Sequence, residues 1–227
     1  MSLAASIRVV VAPPHRAGWP FIGAGLVLAL LGLFWLGFWL FWLGLAAAAF
    51  CAYFFRDPTR HPPARPGVLV APADGHVTMV DMAVPPAELG LDDTPRWRVA
   101  IFLSVLDVHI NRAPCEGVIT RVAYRHGKFL NASLDKASTD NERNALAMRL
   151  PGGQDLAVVQ IAGLIARRIL CFVGEGSHVD AGERFGLIRF GSRTDLYLPH
   201  GVEPLVSLGQ TMIGGETVIA TLGASPS

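Results

Sequence analysis

Between Phe21 and Phe55 the chain carries no charged residue: FIGAGLVLALLGLFWLGFWLFWLGLAAAAFCAYFF is a run of 35 aliphatic, aromatic and small side chains. That excludes a soluble surface helix and predicts a membrane segment. Cysteine is scarce as well. Cys51, Cys115 and Cys171 are odd in number, widely spaced and free of any CxxC pair. This excludes a disulfide framework and a cysteine zinc site, and predicts three buried thiols in a reducing compartment. No HxH pair occurs anywhere, so a zinc peptidase lacks its ligand pattern and no metal is expected. Lys and Arg number 19 against 18 Asp and Glu, a net charge of +1, and no basic excess points to nucleic acid.

One helix over the whole charge-free run would be about 52 Å long, well beyond a hydrocarbon core of about 30 Å. Two short passes fit better, with Gly32, Gly37 and Gly44 as places to bend and Trp35, Trp39 and Trp42 suited to an interface. Arg8 and Arg16 precede the run, and Arg56, Arg60 and Arg65 follow it. The positive-inside rule then puts both ends in the cytoplasm, which a hairpin satisfies and a tilted single span does not. A cleaved signal peptide has an apolar region of about 7 to 15 residues, less than half of what is present.

Past Arg56 the composition changes. HPPARPG (61–67) reads as a linker, and short apolar runs divided by glycines and turn residues read as strands. A short helix or a loop is expected over 137–143. GSHVDAGERFGLI (176–188) and GQTMIGGETVIAT (209–221) echo one another 33 residues apart: an apolar residue, then Gly-Glu, then a strand. The echo is similar to the hairpins of lipoyl and biotinyl domains. A mainly β fold is predicted, a sandwich or flattened barrel of duplicated hairpins.

The sharpest chemical signal is RFGSRTDLYLP (189–199). A serine hydroxyl can attack the carbonyl before it, and Gly191 lets that peptide bend where a Cβ would obstruct. The ester formed at Ser192 can lose its carboxyl end by β-elimination, and hydrolysis of the resulting dehydroalanine leaves a pyruvoyl group on a new amino terminus. Such a nucleophile needs a base within hydrogen-bond reach, and a histidine is expected there.

This motif, CAYFFRDPTR (51–60), APADG (71–75), FLSVLDVHINRAP (102–114) and GKFLNASLDKASTDNERN (127–144) together resemble the short form of the phosphatidylserine decarboxylases, in the family's order over most of the chain. The resemblance implies self-cleavage between Gly191 and Ser192 into chains of 191 and 36 residues. It also implies a pyruvoyl cofactor derived from Ser192, forming a Schiff base with the serine head group of phosphatidylserine, and release of phosphatidylethanolamine. It implies His109 as the active-site histidine. Asp74 is expected to orient it as the third member of a triad. Asp107, two residues before it and expected on the same strand face, is a second candidate. Longer members carry another histidine three residues on, where this chain has Arg112, so His109 has to serve both cleavage and decarboxylation. Lys128, Asn131, Glu142, Arg143 and Asn144 lie in the matching boxes without assigned roles.

The expected organisation is a cytoplasmic segment (1–20), a membrane hairpin (21–55), a linker (56–67) and a catalytic β domain (68–227) facing the cytoplasm. Membrane lipids and the two cleaved chains are the expected partners, with a homo-oligomer left open. Arg56 and Arg60 would be drawn to anionic lipid at about 1 kcal/mol each. The alternative is a membrane-tethered, non-catalytic module of lipoyl type; it predicts no chain break and lacks an attachment lysine at a hairpin tip.

Overall fold

The computed structural model describes residues 12–127, 141–163, 168–189 and 191–223. Arg8, Lys128, Asn131 and 137–140 lie outside the described residues. The chain divides into two compact units, Met1–Thr59 and Arg60–Ser227.

In the first unit, helix α1 (Trp19–Leu31) runs through a π turn (Gly32–Leu36) to Gly37, and α2 (Phe38–Phe54) returns. Of the three glycines expected to bend the chain, only Gly37 does, at φ +107°. Gly32 and Gly44 instead let the helices approach. A Cβ on Gly44 would strike the backbone of Ala29, one on Gly32 that of Phe41, and one on Gly25 would lie 2.7 Å from Ala48 N. The descending order of these contacts makes the pair antiparallel, held by the close backbone packing that small residues permit. Its outer surface is apolar throughout, with Trp35 79% and Trp39 69% exposed at the turn. Arg16–Leu36 is long and apolar enough to cross a membrane, and Phe38–Phe54 is a shorter apolar helix of 17 residues. The two ends are tied together: His15 N–H donates to Phe55 C=O at 2.7 Å and Asp57 N–H to Pro13 C=O at 2.9 Å.

The second unit is mainly β. Its strands are β1 (Val68–Val70), β2 (Gly75–Ala83), β3 (Arg96–Leu103), β4 (Ile110–Arg112), β5 (Gly117–Arg125), β6 (Arg143–Arg149), β7 (Asp155–Ala162), β8 (Ile169–Cys171), β9 (His178–Val179), β10 (Arg184–Ile188), β11 (Ser192–Tyr197), β12 (Thr211–Met212) and β13 (Val218–Thr221). Eight form one antiparallel sheet in the order β12-β2-β3-β11-β7-β6-β5-β9, beside sheets β4-β10-β8 and β1-β13. One face of the large sheet buries Val99, Ile101, Leu146, Met148, Leu156, Val158 and Leu196 in the main core. The other packs Ala145, Ala147, Ala157, Val159 and Ile161 against Leu89. Burial on both faces explains why the central strands read as near-continuous apolar runs rather than alternating ones.

The 176–188 and 209–221 echo is part of a larger repeat. Ala71-Pro72-Ala73-Asp74-Gly75 corresponds to Ala113-Pro114-Cys115-Glu116-Gly117. Val70 N–H donates to Pro114 C=O at 2.8 Å, and Arg112 N–H to Pro72 C=O at 2.9 Å. Gly215 N–H meets Ala71 C=O and Gly182 N–H meets Ala113 C=O, both at 2.8 Å. Even the register slips recur, between Val77 and Met79 and between Ile119 and Arg121. The short strands β12 and β9 then close opposite edges of the large sheet.

The thiols differ from expectation. Cys115 is buried, and burial, with Glu116 nearby, pushes it up to about 12; Cys51 is half-buried and Cys171 exposed, all three unbridged. Cys171 ends the edge strand β8, which leaves its side chain at the surface.

Candidate active site

Strand β11 begins at Ser192, between β3 and β7, with Leu103 on one side and Ala162 on the other. The serine is fully buried, and among the described residues its Oγ has no hydrogen-bond partner. A buried hydroxyl without a partner costs about 1–3 kcal/mol, so an inert serine is a poor explanation for it. Gly191 adopts φ +70°, while a Cβ there would meet nothing within 4 Å. Glycine is therefore required by the left-handed backbone and not by crowding. The Gly191 carbonyl, the one a Ser192 attack would reach, accepts a hydrogen bond from Gly163 N–H at 3.1 Å. A backbone donor so placed favours charge developing on that oxygen.

His109 lies at the same bond. Its Nδ1 is 2.9 Å from the Asp107 main-chain carbonyl, and Gly191 N–H points to its Nε2 at 3.4 Å. A carbonyl only accepts and an amide N–H only donates, so both contacts call for the neutral tautomer protonated on Nδ1, with the lone pair of Nε2 directed at Gly191 N–H. The imidazole is 1% exposed, and the His109 carbonyl accepts from Ile188 N–H at 3.2 Å, which fixes the residue against the end of β10. Asp107 is not on a strand. It closes a turn from Ser104, its carboxylate accepting from Ser104 N–H at 2.8 Å, so its main chain rather than its side chain meets the histidine.

Asp74 sits where two other elements converge. Its Oδ2 accepts from Arg60 Nη2 at 2.6 Å and its Oδ1 from Gly214 N–H at 2.8 Å. A Cβ on the neighbouring Gly215 would lie 2.9 Å from Arg112 Cδ and 3.4 Å from Arg60 Cβ, so both arginines close on this turn. Arg112 is buried and donates from Nη1 to Gly182 C=O at 2.9 Å. The structure thus brings His109, Gly191 and Ser192 together, and gathers Asp74 with Arg60 and Arg112.

Two side-chain networks flank β11. Behind Thr194, Asn144 Nδ2 donates to Gln160 Oε1 at 2.9 Å, Gln160 Nε2 to Asn111 Oδ1 at 2.8 Å, and Asn111 Nδ2 to Thr194 Oγ1 at 3.0 Å. Each bond fixes the orientation of the next amide, so this chain of bonds ties β4, in one sheet, to β6, β7 and β11 in the other. On the opposite face, Arg193 makes a forked pair with Asp195 at 2.7 and 2.9 Å, and Arg98 pairs with Asp81 at 2.9 and 2.7 Å. Burial raises the Asp195 carboxyl above its usual value, while the charges of Arg193 and Arg98 oppose that rise. Arg193→Met is expected to destabilise the fold by about 3–5 kcal/mol, because Asp195 keeps a buried charge, and Arg193→Met with Asp195→Leu by much less. Denaturant midpoints of both variants check this; equal losses would show the pair to be replaceable packing.

Of the remaining sequence candidates, Glu142, Arg143 and Asn144 are buried at the start of β6, with Arg143 paired to Glu88 at 2.6 Å.

Residues 47–220 match the family model described as phosphatidylserine decarboxylase. The chain belongs to the phosphatidylserine decarboxylase family. It is 67% identical to a protein of Granulibacter bethesdensis over 98% of this chain and 91% of that one. It is 61% identical to a protein of Gluconobacter oxydans and 62% to one of Gluconacetobacter diazotrophicus, each over 98% of this chain and 100% of the relative. All three relatives bear the name phosphatidylserine decarboxylase proenzyme. Within the family match fall every one of the candidates Asp74, Asp107, His109, Gly191 and Ser192, together with Gly163, for which the sequence carried no signal beyond a glycine after an apolar strand.

Proposed function

We propose that the chain is a membrane-associated phosphatidylserine decarboxylase, made as a proenzyme that cuts itself between Gly191 and Ser192. The observation that carries this reading is the junction itself: a left-handed Gly191 whose carbonyl is held by Gly163 and whose N–H points to Nε2 of His109, next to a buried Ser192 hydroxyl without a partner among the described residues. In the first step Ser192 Oγ bonds to the Gly191 carbonyl carbon as its proton passes to Nε2. Collapse breaks the carbon–nitrogen bond, and the proton returns to the departing Ser192 nitrogen. Removal of the Ser192 α-proton expels the Gly191 carboxylate, and water then releases ammonia from the dehydroalanine.

The pyruvoyl group left at position 192 supplies a ketone that takes up the electron pair freed when carbon dioxide leaves the serine head group. Sequestered beside it, His109 Nε2 holds the proton that completes the product. The buried surroundings of Ser192 suit that chemistry, because they exclude water from the reacting carbon.

The apolar exterior of the helical hairpin, with Arg16 and Arg56 near its two joined ends, supports a membrane hairpin with both ends cytoplasmic. The hydrogen-bond repeat supports descent from a duplicated hairpin of lipoyl type. Intact mass spectrometry of the purified protein tests the reading: two chains of 191 and 36 residues are expected, the shorter one blocked at its amino end and modified by hydroxylamine with loss of activity. An unbroken chain of 227 residues would favour the non-catalytic tether, and activity that needs added pyridoxal phosphate would exclude the pyruvoyl group.

A further inference from the structure

The contacts that seat His109 at the junction, from Ile188 N–H to its carbonyl and from Gly191 N–H to its Nε2, lie within residues 1–191, as does the bond from Gly163 N–H to the Gly191 carbonyl. A break after Gly191 leaves all three in the longer chain, where none of them fixes the place of residue 192. Decarboxylation follows the break, and it needs a proton donor within hydrogen-bond reach of the atoms at that residue. Residue 192 is held by β11, between β3 and β7 in the large sheet, while the strand that follows His109, β4, pairs with β10 in the three-stranded one. The two sheets therefore need a tie of their own at this point.

Asn111 supplies it. Its Nδ2 donates to Thr194 Oγ1 at 3.0 Å and its Oδ1 accepts from Gln160 Nε2 at 2.8 Å, so one amide reaches both β11 and β7. Thr194 stands directly opposite Gln160, and Gln160 opposite Asn144, which places the three in one row across β11, β7 and β6. Ser192 is two residues before Thr194 on the same strand and hence on the same face. Asn111 itself pairs with Gly186, where a Cβ would lie 2.6 Å from Gln160 Nε2, so glycine there leaves the passage in which the two amides meet. Asn111, Asn144, Gln160 and Thr194 are at most 1% exposed. Such a row holds little advantage in stability over apolar residues of the same shape, but it permits a single mutual placement of the strands.

We propose that Asn111 is a positioning residue for decarboxylation, which through Thr194 keeps residue 192 at the His109 imidazole once the chain has broken. This rests on the maturation reading above. Asn111 belongs to residues 1–191 and Thr194 to 192–227, so their hydrogen bond crosses the break and outlasts it. Before the break, the Gly191 contacts hold the junction without it. The pair is therefore dispensable for cleavage and needed for turnover, where a displacement of about 1 Å at the reacting atoms costs up to about 10²-fold in rate.

The test uses the full chain in neutral detergent micelles with short-chain phosphatidylserine. Thr194→Val removes the hydroxyl at nearly the same shape, Thr194→Ser keeps it, and Asn111→Ala removes the amide. Thr194→Val and Asn111→Ala are expected to cleave within about threefold of the parental rate, with kcat lowered about 10- to 100-fold and KM within about threefold. Thr194→Ser should keep kcat within about threefold, and Asn111→Ala with Thr194→Val should cost little more than Asn111→Ala alone. Hydrogen exchange gives a readout apart from activity. Thr194→Val should speed exchange of the amides of 108–113 about 10-fold in the cleaved protein, and less than about twofold in a Ser192→Ala background, where the chain stays whole. Parental kcat in Thr194→Val, cleavage slowed as much as turnover, or equal exchange in the two backgrounds would each overturn the tie. So would a Thr194→Val chain that fails to fold where Thr194→Ser folds, since the hydroxyl would then serve the fold alone. A parent that stays one chain would sink the maturation reading itself.

Discussion

Ser192→Ala is expected to leave one chain of 227 residues with no decarboxylase activity, whereas the parent splits into two. The substitution removes a single oxygen, and in the proposed maturation that oxygen is the attacking atom and then the leaving oxygen of the ester, so without it neither the break nor the pyruvoyl group can form. The Gly191 amide is engaged with His109 and the Gly191 carbonyl with Gly163, so alanine at 192 leaves both contacts in place and removes only the nucleophile. The variant should also be no less stable than the uncleaved parent. Burying a hydroxyl without a partner costs about 1–3 kcal/mol, and alanine removes that penalty while β11 keeps its pairing to β3 and β7. Denaturing electrophoresis reads the first outcome and thermal melting the second. An alanine variant that still breaks at residue 191 would refute serine attack. One that stays whole but melts far lower would mean that Ser192 is structural.

His109→Ala is expected to slow self-cleavage by about 10²- to 10⁴-fold, the usual worth of a positioned proton-transfer group. Any cleaved enzyme recovered from it should decarboxylate with a comparable defect, because Arg112 stands where longer family members have a second histidine, and an arginine side chain stays protonated at any working pH. The main-chain carbonyl that orients the imidazole gives a control. Asp107→Asn keeps that carbonyl and a side-chain oxygen for Ser104 N–H, so it should mature at near the parental rate. Time courses of cleavage after synthesis, followed by turnover of phosphatidylserine, separate the two stages. Parental rates in His109→Ala would leave both proton transfers to another group.

What was legible in the sequence was local or carried by short ordered strings. A charge-free run needs no partner to declare itself apolar, and Gly37 beside aromatic residues marks a turn. A Gly-Ser pair in its family context marks the bond proposed to break, and the same resemblance points to the histidine of LDVHINRAP as a candidate. None of these depends on how distant segments pair.

The tertiary structure alone decided which further groups stand beside the candidates. The Asp74 carboxylate meets Arg60 and Gly214, and the His109 imidazole meets the main-chain carbonyl of Asp107. Gly163 reaches Gly191 because β7 and β11 align Ala162 with Ser192. Asn111, Asn144, Gln160 and Thr194 meet only because β6, β7 and β11 pair side by side in the large sheet and β4, of the neighbouring sheet, comes against them. Antiparallel pairing joins residues tens of positions apart, and a slip of one residue would turn every side chain on a strand to the other face. Residue types along the chain therefore name the family, while strand register decides which atoms stand together at the candidate site.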